Sequence, residues 1–146
     1  PRGEGPGFVQ VIDDSTVAIP DRPGNNRLDT LLNILQNPQI GILFLIPGVD
    51  ETLRINGQAK IHDDSDLLDL FEVQNKKPKS VLLVDVKEVY LHCAKALMRS
   101  KLWNIDAQIE RTQLPTIGHM INDQSKSNEP EETDEVMKAR YKEVLF

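Results

Sequence analysis

A small antiparallel β-barrel decorated with short helices is what this sequence predicts. Three observations carry that expectation. Five apolar or alternating runs have the length of strands. The helical stretches between them are short and irregularly placed. No regular βαβ alternation is present that would build a doubly wound sheet. With 146 residues, 39% hydrophobic and 27% charged, the chain has enough material for one domain with a real core.

Phe8–Ile12 and Thr16–Ile19 flank Asp13-Asp14-Ser15, the pattern of a β-hairpin. Leu28, Leu31, Leu32 and Leu35 fall at helical spacing, and Asn37-Pro38 stops that helix. Ile40–Ile46 is almost wholly apolar, which predicts a central strand buried on both faces. Pro47-Gly48-Val49-Asp50 is a turn. In the next strand Leu53, Ile55, Gly57, Ala59 and Ile61 alternate with Thr52, Arg54, Asn56, Gln58 and Lys60, so one face is polar. Asp64 or Ser65 can cap a short helix through Leu67, Leu68 and Phe71. After the basic loop Lys76-Lys77-Pro78-Lys79, residues Ser80–Leu91 form a long Val- and Leu-rich strand. Cys93–Lys101 reads as a helix. Residues 124–133 are polar and acidic and read as a linker. Thr133 or Asp134 then caps a last helix with Met137, Tyr141, Val144 and Leu145 on one side.

The net charge of −6 argues against a general nucleic-acid binder. Five of the acids lie between Glu129 and Glu135, so the remainder is closer to neutral and can hold a local basic pocket. A single cysteine, Cys93, excludes an intrachain disulfide and fits a reducing cytoplasm. No apolar run is long enough to span a bilayer as a helix, and no signal peptide is visible. The chain begins Pro-Arg-Gly rather than with Met, so further sequence upstream is expected.

Residues 20–27 (PDRPGNNR) stand between a strand and a helix. Gly24 frees the backbone to turn, Asn25 and Asn26 offer amides, and Arg22 and Arg27 offer forked donors suited to phosphate. The peptide N–H groups of the following helix would point back at the loop. The same composition also suits a plain turn with two solvated arginines. Arg54, two residues beyond Thr52 on the polar strand face, can reach an anionic group or instead make a cross-strand ion pair. Residues 91–103 gather His92, Lys95, Arg99, Lys101 and Trp103, which suits an anionic aromatic ligand or, equally, a basic amphipathic helix with a packed Trp. Cys93 lacks an activating constellation. His62, His92 and His119 lack metal-ligand spacing, so no metal site is expected. No GxSxG, Walker or GxGxxG pattern is present.

Four stretches taken together resemble the pyridoxamine 5′-phosphate oxidase-like flavoproteins of the split β-barrel FMN-binding fold. They are Pro1-Arg2-Gly3, residues 19–29 (IPDRPGNNRLD), 47–57 (PGVDETLRING) and 92–103 (HCAKALMRSKLW). More narrowly, the chain is similar to a bacterial subgroup of FMN-dependent enzymes of that class. The resemblance implies FMN at a homodimer interface, with a small-molecule substrate of unknown identity and no membrane partner. It implies that Asn25, Asn26 and Arg27 stand where the family grips the phosphate, with Asn26 replacing a cation and Arg22 assisting. Arg2 resembles the arginine that lies along the flavin, and Ile19 and Pro20 match backbone positions beside its ring. Thr52 replaces a ring-contacting glutamine, and Arg54 with Gly57 matches an Arg-x-x-Gly pattern. His92, Lys95, Arg99 and Trp103 would reach the flavin of the partner subunit.

It also implies a flavin-binding domain over residues 1–119, its first strand lying before Pro1, followed by an acidic linker and helix over 120–146. The Trp-Arg-x-Glu-Arg type motif that holds pyridoxine phosphate in the oxidases is not found, which argues against the vitamin B6 reaction. The expected activity is that of an FMN-dependent oxidoreductase. The alternative on the same fold is a non-enzymatic protein that binds flavin, haem or deazaflavin as a sensor or store. A cofactor-free dimer with solvated arginines is a third possibility.

Overall fold

The computed structural model describes residues 1–24, 27–127 and 130–145. Asn25 and Asn26, two of the expected phosphate contacts, lie outside the described residues. The chain divides into two compact units, Pro1–Trp103 and Asn104–Phe146.

The first unit is mainly β with short helices. Its strands are β1 (Gln10–Asp13), β2 (Thr16–Asp21), β3 (Gln39–Phe44), β4 (Thr52–His62) and β5 (Ser80–His92). Its helices are α1 (Asp29–Gln36), α2 (Ser65–Asp69) and α3 (Lys95–Ser100). The strands form one sheet in the order β1-β2-β5-β4-β3, with every neighbouring pair antiparallel.

Alternation along β2 and β5 sends side chains to both faces of the sheet, and both faces are covered there. On the inner face Val17, Ile19, Leu82 and Val84 pack with Ile55 and Ala59 of β4 and Ile34 of α1. On the outer face Ala18 and Val81 pack with Phe71, just beyond α2, and with Leu67 and Leu68. The strands buried on both faces are therefore β2, through Val17–Pro20, and β5, through Val81–Val84.

The run Ile40–Ile46, expected to be the central strand, is instead the edge strand β3. Ile40, Ile42 and Phe44 pack on the inner core, while Leu43, Leu45 and Ile46 remain exposed. An apolar run states that both faces of a strand are apolar. It does not state how many strands lie beside it, and that is what the expectation lacked.

The β4–β5 register shifts between Asn56 and Gly57: Asn56 pairs with Glu88 and Gly57 with Val86. Lys87 is the extra residue of this bulge. At Gly57 any Cβ would fall well inside van der Waals contact distance of the Asp85 carbonyl oxygen and 3.1 Å from Val84 Cγ1. The close approach of the two backbones thus requires glycine at this position.

The second unit contains two short 3₁₀ turns and two helices, α4 (Ile117–Ser125) and α5 (Asp134–Val144). Thr133 caps α5, its hydroxyl accepting from Val136 N. Thr116 caps α4 in the same way, accepting from His119 N at 3.1 Å. Helix α4 was not expected, and it takes in Gln124 and Ser125 from the stretch read as linker. No side chain of this unit is buried among those described. Among the described residues, no helix is long and apolar enough to cross a membrane.

Candidate functional site

Antiparallel pairing places Thr52 opposite His92, Arg54 opposite Tyr90 and Asn56 opposite Glu88. Side chains of directly paired residues share a face, and i, i+2 residues share a face along each strand. These six residues therefore form one block on the outer face, the face opposite buried Ile55. Arg54 Nε donates to Asn56 Oδ1 at 3.0 Å, and Asn56 Nδ2 donates to Glu88 Oε2 at 2.8 Å. The Tyr90 and His92 rings lie 5.2 Å apart, tilted by 56°. Thr52 is buried at the end of the block.

Gly41 of β3 lies beside this network. A Cβ there would sit 3.3 Å from Arg54 Nη2 and 3.4 Å from Asn56 Oδ1. The guanidinium thus occupies space over β3 that a side chain at position 41 would crowd. Of the residues expected from the sequence, Thr52, Arg54 and His92 come together here. Asn56, Glu88, Tyr90 and Gly41 were not singled out. Asn56 was within reach, because it follows Arg54 at the strand period. Glu88 and Tyr90 depend on a register that the bulge at Lys87 resets, and no local pattern announces it.

The segment from Ile19 to Arg27 is arranged differently. Ile19 and Pro20 are buried in β2. Arg2 pairs with Asp21 at 2.8 Å. Arg22 is nearly buried and clamped: Nε and Nη2 meet the Glu4 carboxylate at 2.9 and 3.2 Å, and Nη2 donates to Phe71 O at 2.6 Å. Its Nη1 donates to Lys76 O at 3.4 Å. Arg2 and Arg22 together fasten the N-terminal segment to the end of β2. A ligand phosphate reaching Arg22 has to compete with Glu4. Arg27 is 76% exposed and pairs with Asp29, in the first turn of α1.

The segment after β5 carries the remaining candidates. Lys95 and Arg99 lie at the two ends of α3, both exposed, and Cys93 is exposed. Trp103 Nε1 donates to Val49 O at 2.8 Å, tying the chain after α3 to the β3–β4 turn. The first unit also exposes apolar side chains: Val89 and Leu91 on β5, Leu45 and Ile46 after β3, and Met98 on α3. On the inner face a cleft of about 370 Å³ opens between the N-terminal segment and β3, with Phe8, Ile42, Phe44 and Leu82 among its apolar walls and Arg2 and Thr30 as its polar side chains. Among the described residues, no three His, Cys, Asp or Glu side chains come together as metal ligands do.

A family model described as pyridoxamine 5′-phosphate oxidase matches residues 1–93. The chain belongs to the pyridoxamine 5′-phosphate oxidase family. The matched span contains all five strands up to the last residue of β5 and beyond it to Cys93. No curated protein matches the chain. Among solved structures, HupZ of Group A Streptococcus is similar over 57% of this chain and 68% of its own, at 20% identity and a TM-score of 0.48. A single-residue variant of the same HupZ is similar over 58% and 73%, at 20% identity and a TM-score of 0.49. A candidate pyridoxamine 5′-phosphate oxidase from Lactobacillus delbrueckii is similar over 57% and 68%, at 18% identity and a TM-score of 0.42.

Proposed function

We propose that this chain binds FMN at the interface of a homodimer with split-barrel architecture and works as an FMN-dependent oxidoreductase on a small molecule. Family membership over residues 1–93 is the observation that carries the reading. The residues present fit the cofactor. Arg27 offers an exposed guanidinium beside the start of α1 for the phosphate, with Asp29 as its present counter-ion. Asn25 and Asn26 complete that grip in this reading. Arg2, paired with Asp21 at the end of β2, lies along the flavin in this reading, and Arg22 holds the same segment in place through Glu4. Arg54 and His92 offer a polar face to the ring, with Thr52 buried at its end.

FMN, when bound, supplies the electron-transfer chemistry, and the protein supplies binding, orientation and electrostatics. Arg54 brings a positive charge to the outer face, and Tyr90 with His92 offers flat aromatic contact. Val89, Leu91, Leu45, Ile46 and Met98 are each exposed, and that uncovered apolar area supports a second copy as cover. Lys95, Arg99 and Trp103, on and just after α3, would reach the partner subunit's cofactor in this reading.

The test is an absorbance spectrum of the purified protein, an FMN titration and a molar mass by light scattering. Expected are the two-peaked flavin spectrum, binding in the micromolar range or tighter (about −8 kcal/mol) and the mass of a dimer. Arg27→Ala then weakens FMN binding by about 1.5–3 kcal/mol, as for a charge-assisted contact. A protein that neither carries nor binds FMN overturns the reading, and a haem spectrum in its place would move the function to the alternative cofactor.

A further inference from the structure

We infer that Arg54, backed by Asn56 and Glu88, forms an oxyanion subsite on the outer face of β4 and β5, with the two backing residues positioning its guanidinium. The inference rests on the flavin reading above and goes further: it assigns the chemistry of one subsite and the residues that set its geometry. A free arginine side chain samples many rotamers, so its five donors meet an anion only after an entropic loss. Here that freedom is already restricted. Nε is committed to Asn56 Oδ1 at 3.0 Å, and Asn56 is in turn held by Glu88 at 2.8 Å. With Nε spent, the pair of terminal Nη groups remains, and no acceptor among the described residues takes them. That is the bidentate fork which matches a carboxylate or phosphate.

Gly41 supports the same assignment. The guanidinium lies over β3 where a Cβ would stand 3.3 Å from Nη2, so glycine keeps the fork's position open. The Glu88 carboxylate bonds to Asn56 rather than to Arg54, so its charge backs the network without closing the fork. Tyr90 lies directly opposite Arg54 and contacts His92, which places aromatic surface beside the charge. A planar ligand bearing an oxyanion answers both features. Two sources of that oxyanion share the chemistry: a carboxylate on the substrate, with the flavin phosphate held at Arg27 as read above, or that phosphate itself should Arg27→Ala leave FMN binding unchanged.

The test titrates the whole chain with FMN and with riboflavin, which lacks only the phosphate. The FMN-loaded protein is then titrated with benzoate, a planar carboxylate, read by perturbation of the flavin spectrum. Arg54→Met keeps the apolar stem and removes the fork. It is expected to weaken one anionic probe by about tenfold or more. Loss with FMN and not riboflavin assigns the phosphate; loss with benzoate alone assigns a substrate carboxylate. Asn56→Ala and Glu88→Ala are expected to repeat part of the loss with the same probe. Glu88→Gln, which keeps an acceptor for Asn56, restores it, a rescue that a purely structural role would not follow. Gly41→Ala, which crowds the guanidinium without touching its charge, gives an independent variant should Arg54→Met fold poorly. Affinities unchanged in Arg54→Met, or lowered equally for FMN and riboflavin with benzoate unaffected, overturn the inference and leave flavin binding standing. Failure of the unaltered chain to bind FMN overturns the reading beneath it and the inference together.

Discussion

Residues 1–103 bury Ala18, Val81 and Val84 completely, whereas residues 104–145 bury no described side chain. The first unit is held by two apolar clusters on opposite faces of one sheet. The second is held by caps and ion pairs: Thr116 on α4, Thr133 on α5, Arg111 with Asp134, Arg140 with Glu132, and His119 with Glu131 and Asp123. Apolar burial carries no charge to titrate or to screen. Exposed ion pairs are individually weak and are screened. The contrast teaches that the sheet carrying Arg54 rests on apolar packing, while the C-terminal unit rests on contacts that respond to its solvent.

The largest effect should come from Phe71, which covers Ala18 and Val81 on the outer face. Phe71→Ala is expected to lower unfolding stability by about 3–5 kcal/mol in urea. A loss within the surface range of about 0.5 kcal/mol would break the comparison at its stronger end. Next is Gly57→Ala, which forces a Cβ against the Asp85 backbone and costs about 1–3 kcal/mol by overpacking. If it leaves the melting temperature unchanged, the bulge is softer than its geometry implies. In the second unit Thr116→Ala removes the α4 cap and costs about 1 kcal/mol of local stability. Hydrogen exchange should show faster amides at the start of α4 and unchanged amides in β5.

The smallest effect follows pH. The Glu131 carboxylate, bonded to His119 Nδ1 at 2.9 Å, raises the His119 pKa above its ordinary value, with Asp123 adding to it. A raised folded pKa means that this contribution is fully present below about pH 6.5, the unfolded value. It is lost as pH rises through the folded value. Helical circular dichroism from the second unit should therefore decline slightly from pH 6 towards pH 8, and less so in His119→Gln. The same decline in both proteins would remove His119 from the account.

Much of the first unit was legible in the sequence because its elements are local. The alternation from Thr52 to Ile61 separates buried Ile55 and Ala59 from exposed Gln58 and Lys60 with no knowledge of neighbours. The place of β3 in the sheet was not legible, since strand order is set by pairing across the chain. Helix α4 was missed because its apolar content is low and an acidic stretch follows. Its one local signal was Thr116 in capping position. The polar face of Thr52 and Arg54 could be read from period alone. Glu88 could not, because it reaches Asn56 only through the bulge at Lys87. Arg22 looked like a loop donor because Glu4 and the carbonyls of Phe71 and Lys76 lie 18, 49 and 54 residues away.

Trp103 is the only tryptophan in the chain. Its indole is anchored on the Val49 carbonyl, at the turn that leads into the strand bearing Thr52 and Arg54. Red-edge fluorescence from this protein therefore has a single address. A change in its wavelength reports on that corner alone, and a yellow chromophore bound to the same unit becomes visible as lost emission, with no label attached.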